Sequence, residues 1–220
     1  VSSLYGANLV TPNLKEATFN NIDAGLRFKV LDDRLDGEIT LYRLQGKGEV
    51  LSYTKPDNTR EPRNAGKTLH QGIEIGGTWK LSERYDQRLK VSGSIAKHEY
   101  KEFQPSSTLN YSDNTMPSSP KSFGTIEYQI KPIPALLLSA EGIYVGSYWI
   151  NDANTEKYDG HTILNLRANY RKNAYEVYGQ IINAADVHYA ESTSYSNNQA
   201  SYTPAAPRTY LLGLRYHFGK

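Results

Sequence analysis

The sequence predicts an all-β protein whose antiparallel strands cross a membrane as part of a β-barrel. Three observations predict this fold. Apolar residues recur at every second position, the alternating segments are long, and short turns alternate with long polar loops between them. Period-2 alternation indicates strands, and a tilted strand needs about 9–11 embedded residues to cross a bilayer. Short turns on one side and longer loops on the other are typical of bacterial outer-membrane barrels.

Nine segments of the chain show this alternation. In the last of them Tyr210, Leu212 and Leu214 fall on one face, whereas Arg215 and His217 fall on the other. Most segments are much longer than the ordinary globular strand of about 5–6 residues. The predicted strands are residues 17–31, 34–47, 69–82, 88–101, 121–131, 135–150, 160–171, 174–189 and 207–218.

The connections between these segments alternate in length along the chain. Short turns are predicted at residues 31–34, 83–87, 131–134 and 171–174. Long polar loops are predicted at residues 47–68, 102–121, 151–160 and 190–207. The short turns are therefore expected to face the periplasm and the long loops the cell exterior.

Composition excludes several other classes of protein. The 220 residues are 38% hydrophobic with a mean hydropathy of −0.62, and the longest apolar run, residues 133–138, contains a proline. A membrane helix would need about 20 apolar residues. A net charge of +2, from 25 basic and 23 acidic residues, gives no basic face for nucleic acid. The 18 tyrosines against 5 phenylalanines suit a border between water and an apolar phase.

The charged residues are sorted onto one face of the predicted strands. The other face carries mainly aliphatic, aromatic and small residues, as expected for contact with outer-membrane lipid. A charge on the lipid face would cost about 2–4 kcal/mol at the bilayer midplane, which explains the sorting. The charged residues predicted to face away from lipid include Glu74, Glu127, Glu141, Arg167 and Arg215.

No motif in the sequence predicts an enzyme or a metal site. There is no cysteine, no G-x-S-x-G elbow and no glycine-rich phosphate loop. The histidines do not have close metal-ligand spacing; they are His70, His98, His161, His188 and His217. We therefore expect no catalysis, no cofactor and no metal. A lipid hydrolase of the outer membrane stays open as a distant alternative, because catalytic triads assemble in space.

Several motifs, in order along the chain, resemble the barrel of TonB-dependent outer-membrane receptors. The segments at residues 11–16 and 21–26 resemble the family's NPxLKPE stretch and the strand start that follows it. Residues 64–74 resemble its NAGKxxxxGxE strand entry, and residues 182–189 its N-L-x-D-x-x-Y motif. Further similarities lie at residues 111–117, 145–148, 158–160 and 207–218.

This resemblance implies the C-terminal part of a receptor barrel over residues 1–220, namely the last nine strands of a 22-stranded barrel. It implies TonB-dependent uptake of a ferric siderophore or a similar scarce nutrient. The family's plug domain and TonB box are not recognisable in the sequence, so TonB is expected to act through a missing plug region. A small self-contained barrel with a structural or adhesive role is the alternative. Against it, nine strands with an external N-terminus do not close a barrel, since closed bacterial barrels have even strand numbers.

Two sets of residues are the candidate functional positions. Loop aromatic residues and two arginines are weak candidates for contacting an anionic iron chelate through stacking and cationic contact. They are Arg60, Arg63, Tyr111, Trp149, Tyr195 and Tyr202. In the last strand, Gly213, Tyr216 and Phe218 resemble the signal that the barrel-assembly machinery recognises, although Gly219 and Lys220 follow where the family usually ends.

Overall fold

The computed structural model describes residues 14–54 and 60–218, and these residues form β-strands, turns and loops. The start of the first family-like motif, residues 11–13, lies outside them, as do residues 219 and 220. Within the described part of the chain, no helix is long and apolar enough to cross a membrane. The strands are β1 (Thr18–Val30), β2 (Leu35–Thr54), β3 (Arg60–Ser82), β4 (Gln87–Glu102), β5 (Ser122–Ile133), β6 (Leu136–Val145), β7 (Tyr148–Trp149), β8 (Lys157–Tyr158), β9 (His161–Lys172), β10 (Tyr175–Ile182), β11 (Ala190–Ser196), β12 (Gln199–Pro204) and β13 (Thr209–Tyr216).

Nine of the strands form one antiparallel sheet in the order β1-β2-β3-β4-β5-β6-β9-β10-β13. Each of the nine corresponds to one predicted segment, so the fold class and the strand number are confirmed. The remaining four strands form two small hairpins, β7–β8 and β11–β12. Among the described residues, β1 and β13 are the two edges of the large sheet, which is therefore open rather than closed.

The predicted loop at residues 47–68 is wrong for most of its length. There β2 and β3 continue as a paired hairpin until Thr54 lies opposite Arg60, with a register shift between Lys47 and Val50. The sequence did not predict this extension, because residues alternate between apolar and polar only where one face of a strand meets an apolar phase and the other face a polar one. A hairpin that projects into water has no apolar face, so its sequence does not alternate.

Two predicted strands end earlier than expected. The segment 135–150 breaks at Gly146, where an added Cβ would lie 2.5 Å from the Ser122 Oγ atom and 2.8 Å from its carbonyl oxygen. The segment 174–189 ends before Asn183, which has a φ of 52° and is fully buried. The Asn183 amide donates to the Val187 carbonyl (2.9 Å) and accepts from the Val187 amide N–H (2.9 Å). This local bonding replaces the strand ladder.

The short turns lie together at one end of the sheet, which we call the turn end; the opposite end is the loop end. The turn between β1 and β2 has positive φ angles at Leu31, Asp32 and Asp33. In the turn between β3 and β4, Asp86 accepts hydrogen bonds from Lys131 (2.6 Å) and Arg88 (2.7 Å). These bonds, chiefly the one from Lys131, lower the pKa of Asp86. Aspartate tolerates left-handed backbone better than most residues, which explains its place in these turns.

The outer face of the sheet is apolar across the strands. Cross-strand pairs such as Leu26 with Ile39, and Ile39 with Ile75, lie on this face. Its side chains are open to the surroundings of the protein: Ile95 is 69% exposed and Leu212 is 85% exposed. A water-soluble protein rarely exposes so much contiguous apolar surface, whereas a lipid-facing barrel wall requires it.

The inner face carries the charged residues that the sequence assigned to it. Arg167 forms ion pairs with Glu141 (2.8 Å) and Glu127 (3.9 Å), and Lys90 reaches Glu127 at 3.5 Å. Nearer to the turn end of β10 and β13, Glu176 pairs with Arg215 at 3.3 Å. Apolar residues occur on this face too, but these charged side chains pair with one another across strands.

Most of the best-buried residues lie at the loop end of the sheet, although Glu176 near the turn end is also buried. Tyr100 and Phe103, at and after the end of β4, are 7% and 8% exposed. Ile150, after β7, is 4% exposed, and Ala190, at the start of β11, is 7% exposed. The loops therefore pack against one another and against the strand ends, and this packing positions the candidate site.

Candidate functional site at the loop end

The connection between β4 and β5, residues 103–121, folds back onto the end of β4. The Tyr111 N–H donates to the Phe103 carbonyl (2.8 Å), and the Asp113 N–H donates to the Tyr100 carbonyl (2.7 Å). Further along, the Met116 N–H donates to the His98 carbonyl (2.9 Å). The Phe103 ring packs between Tyr100 (4.4 Å between centroids) and Tyr111 (5.9 Å). This loop consequently has a defined shape.

The same loop is bonded to the loop that joins β7 and β8. Asn154 accepts from the Thr115 N–H (2.8 Å) and donates to the Thr115 carbonyl (2.8 Å). The Asn114 side chain donates to the Asp152 carbonyl (2.8 Å). The Tyr100 hydroxyl donates to the Asp152 carboxylate (2.8 Å), and burial together with this bond raises the pKa of Tyr100. The two loops form one unit on the end of β4.

Asn151 shapes the turn between β7 and β8 from within. Its side-chain oxygen accepts from the backbone N–H groups of Thr155 (3.0 Å) and Glu156 (3.2 Å). Its side-chain amide donates to the Thr155 hydroxyl (2.7 Å). An asparagine that bonds its own following backbone stabilises a tight turn, which explains the polar run at residues 151–154.

A cluster of aromatic rings joins the β7–β8 hairpin to the β11–β12 hairpin. The Tyr158 ring lies 5.2 Å from Tyr148, 6.0 Å from His161 and 6.4 Å from Tyr202. The Tyr158 hydroxyl lies 3.0 Å from the His161 Nδ1 atom and accepts from the Ala190 N–H (3.1 Å). Tyr202, a sequence candidate for ligand contact, is thus part of the packing between hairpins, although 51% of it is exposed.

A cleft of about 510 Å³ opens at this end between three loop segments, namely the β4–β5 loop, the β7–β8 loop and the β11–β12 hairpin. Two of the sequence candidates, Tyr111 and Tyr195, line it from the β4–β5 loop and from β11. Polar side chains share the lining, namely Asn151, Asp152, Thr155 and Asn198. The cleft therefore combines aromatic rings with amide, hydroxyl and carboxylate groups, and no lysine or arginine lines it among the side chains that the structure describes.

The other sequence candidates lie elsewhere. Trp149 is half-buried in β7, where its carbonyl accepts from the Ser118 N–H (2.8 Å). Arg63 lies on the β2–β3 hairpin, with its guanidinium 3.6 Å from the centre of the Tyr53 ring and an ion pair to Glu61. Arg60 begins β3, and its side chain lies outside the described residues. The described structure therefore does not bring Arg63 together with the cleft tyrosines.

Sequence reasoning missed the polar lining of the cleft. Asn151, Asp152 and Asn198 lie in polar turns, which on their own predict only a change of chain direction. In the sequence they appear only as asparagine and aspartate in polar segments, and these residues are frequent in all turns because their side chains bond the nearby backbone. Only the contact between separate loops distinguishes them from ordinary turn residues.

The last strand places the three candidate assembly residues along β13 and its end. Gly213 lies beneath the Tyr178 ring, and an added Cβ would come within 2.1 Å of the Tyr178 Cζ atom. Tyr216 contacts Tyr175 (5.0 Å between centroids) and Phe218 (4.6 Å) in edge-on geometry. Phe218 is 88% exposed. The glycine is needed for ring packing on the inner face, and the two aromatic residues form a patch at the turn end.

Comparison with solved structures shows the same fold in larger proteins. The chain is similar to the ferric yersiniabactin uptake receptor FyuA from Yersinia pestis, with 15% identity and a TM-score of 0.75 over 92% of this chain and 30% of that one. It is similar to the ferric-catecholate import receptor Fiu from E. coli K12, with 22% identity and a TM-score of 0.72 over 93% of this chain and 28% of that one. The siderophore receptor PiuA from Acinetobacter baumannii is also similar, with 19% identity and a TM-score of 0.74 over 90% of this chain and 28% of that one. The chain thus spans less than a third of the length of these receptors.

A protein-family comparison is more specific than these structural similarities. The family described as TonB dependent receptor-like, beta-barrel matches residues 1–184, which is most of the chain. Barrels of this family lie in the outer membrane of Gram-negative bacteria, in agreement with the exposed apolar face of the sheet. The chain belongs to the TonB-dependent receptor β-barrel family.

Proposed function

We propose that this chain forms part of the wall and of the extracellular rim of a receptor that takes up a ferric siderophore or a similar scarce nutrient. The receptor would be energised by TonB through its plug region and inserted by the barrel-assembly machinery. The observation that supports a binding role most directly is the cleft at the loop end, because three loop segments are held together around it. The chain would supply a wall and a rim for binding and transport rather than catalytic groups.

The order of the surrounding loops supports ligand binding at this cleft. A site whose loops are already bonded to one another loses less conformational entropy when a ligand arrives. The bonds from Asn154 to Thr115 and from Tyr100 to Asp152 are of this kind. The ligand would meet a preformed surface.

The lining favours a ligand with aromatic or planar polar groups. Tyr111 and Tyr195 offer rings for stacking. Asn198, in the turn between β11 and β12, offers a side-chain amide for hydrogen bonds. Among the residues whose side chains are described, no lysine or arginine lines the cleft, so recognition would rest on stacking and on neutral hydrogen bonds rather than on ion pairs with an anionic chelate. This differs from the arginine-assisted site that the sequence suggested.

A test follows from replacing both cleft tyrosines in the full-length receptor. Loss of about 1 kcal/mol of stacking per ring would weaken ligand binding roughly thirtyfold in the Tyr111→Ala, Tyr195→Ala double variant. A panel of iron-55-labelled catecholate, hydroxamate and carboxylate siderophores would be offered to receptor-deleted cells that carry either form. Uptake of one ligand should require TonB and should fall in the double variant.

Tyr85→Ala provides the matched control, because Tyr85 lies in a short turn at the opposite end of the sheet. It should leave uptake unchanged when the amounts of folded receptor are equal. Uptake that does not depend on TonB, or no uptake of any ligand in the panel, would contradict the proposed transport. Uptake that is equally strong in the double variant would show that the cleft is not the binding site.

The alternative of a small self-contained barrel receives less support. In the described residues β1 and β13 do not pair with each other, and unpaired strand edges in lipid would leave backbone groups unsatisfied at several kcal/mol each. A receptor with further strands provides the pairing that both edges need.

A further inference from the structure

Two histidines face each other across neighbouring strands near the loop end. His70 on β3 and His98 on β4 are direct register partners, although 28 residues separate them in sequence. Their Nδ1 atoms are 2.8 Å apart, and the ring centres are 5.1 Å apart with an angle of 56° between the planes. Both side chains are half-buried, so the pair is sheltered but reachable from solution.

The position of the pair relative to the bilayer follows from the residues beside it. On the outer face, the pair Ile73 and Ile95 is apolar and exposed. One step further toward the loop end, the outer positions are Gln71 and Lys97, which form the next outer pair. Because lipid excludes such residues, the apolar band ends there. His70 and His98 therefore lie just beyond the membrane, on the inner face of the rim.

We propose that His70 and His98 form a two-imidazole site for a divalent copper ion at this rim. The site is independent of the cleft at the loop end and of the proposed siderophore uptake. In the neutral pair one imidazole carries its single proton on Nδ1 and donates it to the Nδ1 atom of the other. When both Nδ1 atoms bind the ion, that proton would move to Nε2 of the same ring through solvent, so that each imidazole carries one proton on Nε2 and offers an Nδ1 lone pair.

The distance between the two nitrogens indicates which metal fits. Bonds of about 2.0 Å from the metal to each nitrogen, with the nitrogens 2.8 Å apart, give an angle of about 90° at the metal. Two neighbouring ligands of a tetragonal Cu²⁺ ion subtend this angle. A tetrahedral Zn²⁺ ion requires about 109°, which would place the nitrogens about 3.3 Å apart. Copper also binds imidazole more strongly than the other divalent first-row metals do.

The surroundings suit an exchangeable ion rather than a structural one. No group of three or more histidine, cysteine or acidic residues that could hold a metal occurs in the described part of the chain. Two imidazoles would hold the ion, and water would complete its coordination.

The experiment uses the full-length receptor, purified without a histidine tag and titrated with CuSO₄. Electron paramagnetic resonance should show a tetragonal Cu²⁺ signal with splitting from two imidazole nitrogens, at one ion per receptor. His70→Asn and His98→Asn should each weaken binding about a hundredfold, because each leaves one ligand without its preorganised partner. An equal concentration of Zn²⁺ should not displace the copper.

His161→Asn is the matched control, since His161 is also a half-buried histidine near the loop end but pairs with Tyr158. It should leave the copper signal unchanged. Heat-modifiable migration on gels identifies folded receptor, and only variants that pass this test are compared. The proposal is overturned if the folded wild-type receptor gives no two-nitrogen signal, if the signal persists in the His70→Asn, His98→Asn double variant, or if Zn²⁺ displaces the copper.

Discussion

Replacement of Leu212 by arginine gives the sharpest test of which face of the sheet meets lipid. Leu212 lies on the outer face of β13, is 85% exposed, and pairs across the strand with Gly179, which has no side chain to shield it. It lies two residues from Tyr210, or about 7 Å along the strand, which places it inside the apolar band. An arginine near the midplane costs about 2–4 kcal/mol. We therefore expect Leu212→Arg to lower the free energy of unfolding by about 2–3 kcal/mol.

The adjacent residue provides a control with the same change of side chain. Leu211 lies on the opposite face of the same strand and is 48% exposed. Leu211→Arg should change the free energy of unfolding by less than about 1 kcal/mol, because the charge would lie on the inner face of the sheet, away from lipid. Guanidinium unfolding of the full-length receptor in lipid vesicles, followed by tryptophan fluorescence, measures both variants. Equal losses, or a larger loss for Leu211→Arg, would show that the faces are misassigned.

Two further predictions concern topology and assembly. Ser107→Cys and Asn197→Cys should react with a membrane-impermeant maleimide on intact cells, whereas Asp33→Cys should react only after the outer membrane is permeabilised; the reverse pattern would invert the orientation. The Tyr216→Ala, Phe218→Ala double variant should insert more slowly, with loss of the heat-modifiable form and more periplasmic degradation. An unchanged amount of inserted barrel would show that these aromatic residues contact lipid but are not recognised during assembly.

The sequence predicted the strands of the sheet because the membrane acts on each strand separately. In the segment at residues 160–171, Leu164 and Leu166 alternate with Asn165 and Arg167 since one side meets lipid and the other does not. Wherever this difference disappears, the prediction was wrong. The hairpin extension of β2 and β3 lies beyond the bilayer, and it is paired although its sequence does not alternate.

Strand ends depended on contacts that the pattern does not contain. The backbone at Gly146 approaches Ser122, a residue on another strand, and the side chain of Asn183 closes a turn while fully buried. Each ends an alternation that otherwise continues in the sequence. Local hydrophobicity cannot report such contacts, because they depend on the register of neighbouring strands.

The sequence by itself determined the class of fold, the nine spanning strands and the family, because these follow from local alternation and from short motifs. The tertiary structure decided which distant residues meet. Tyr111 and Tyr195 share one cleft because three loop segments pack together, while Arg63 is held on another hairpin. His70 and His98 face each other only because β3 and β4 pair in one register, and a shift of a single residue would turn either side chain to the opposite face.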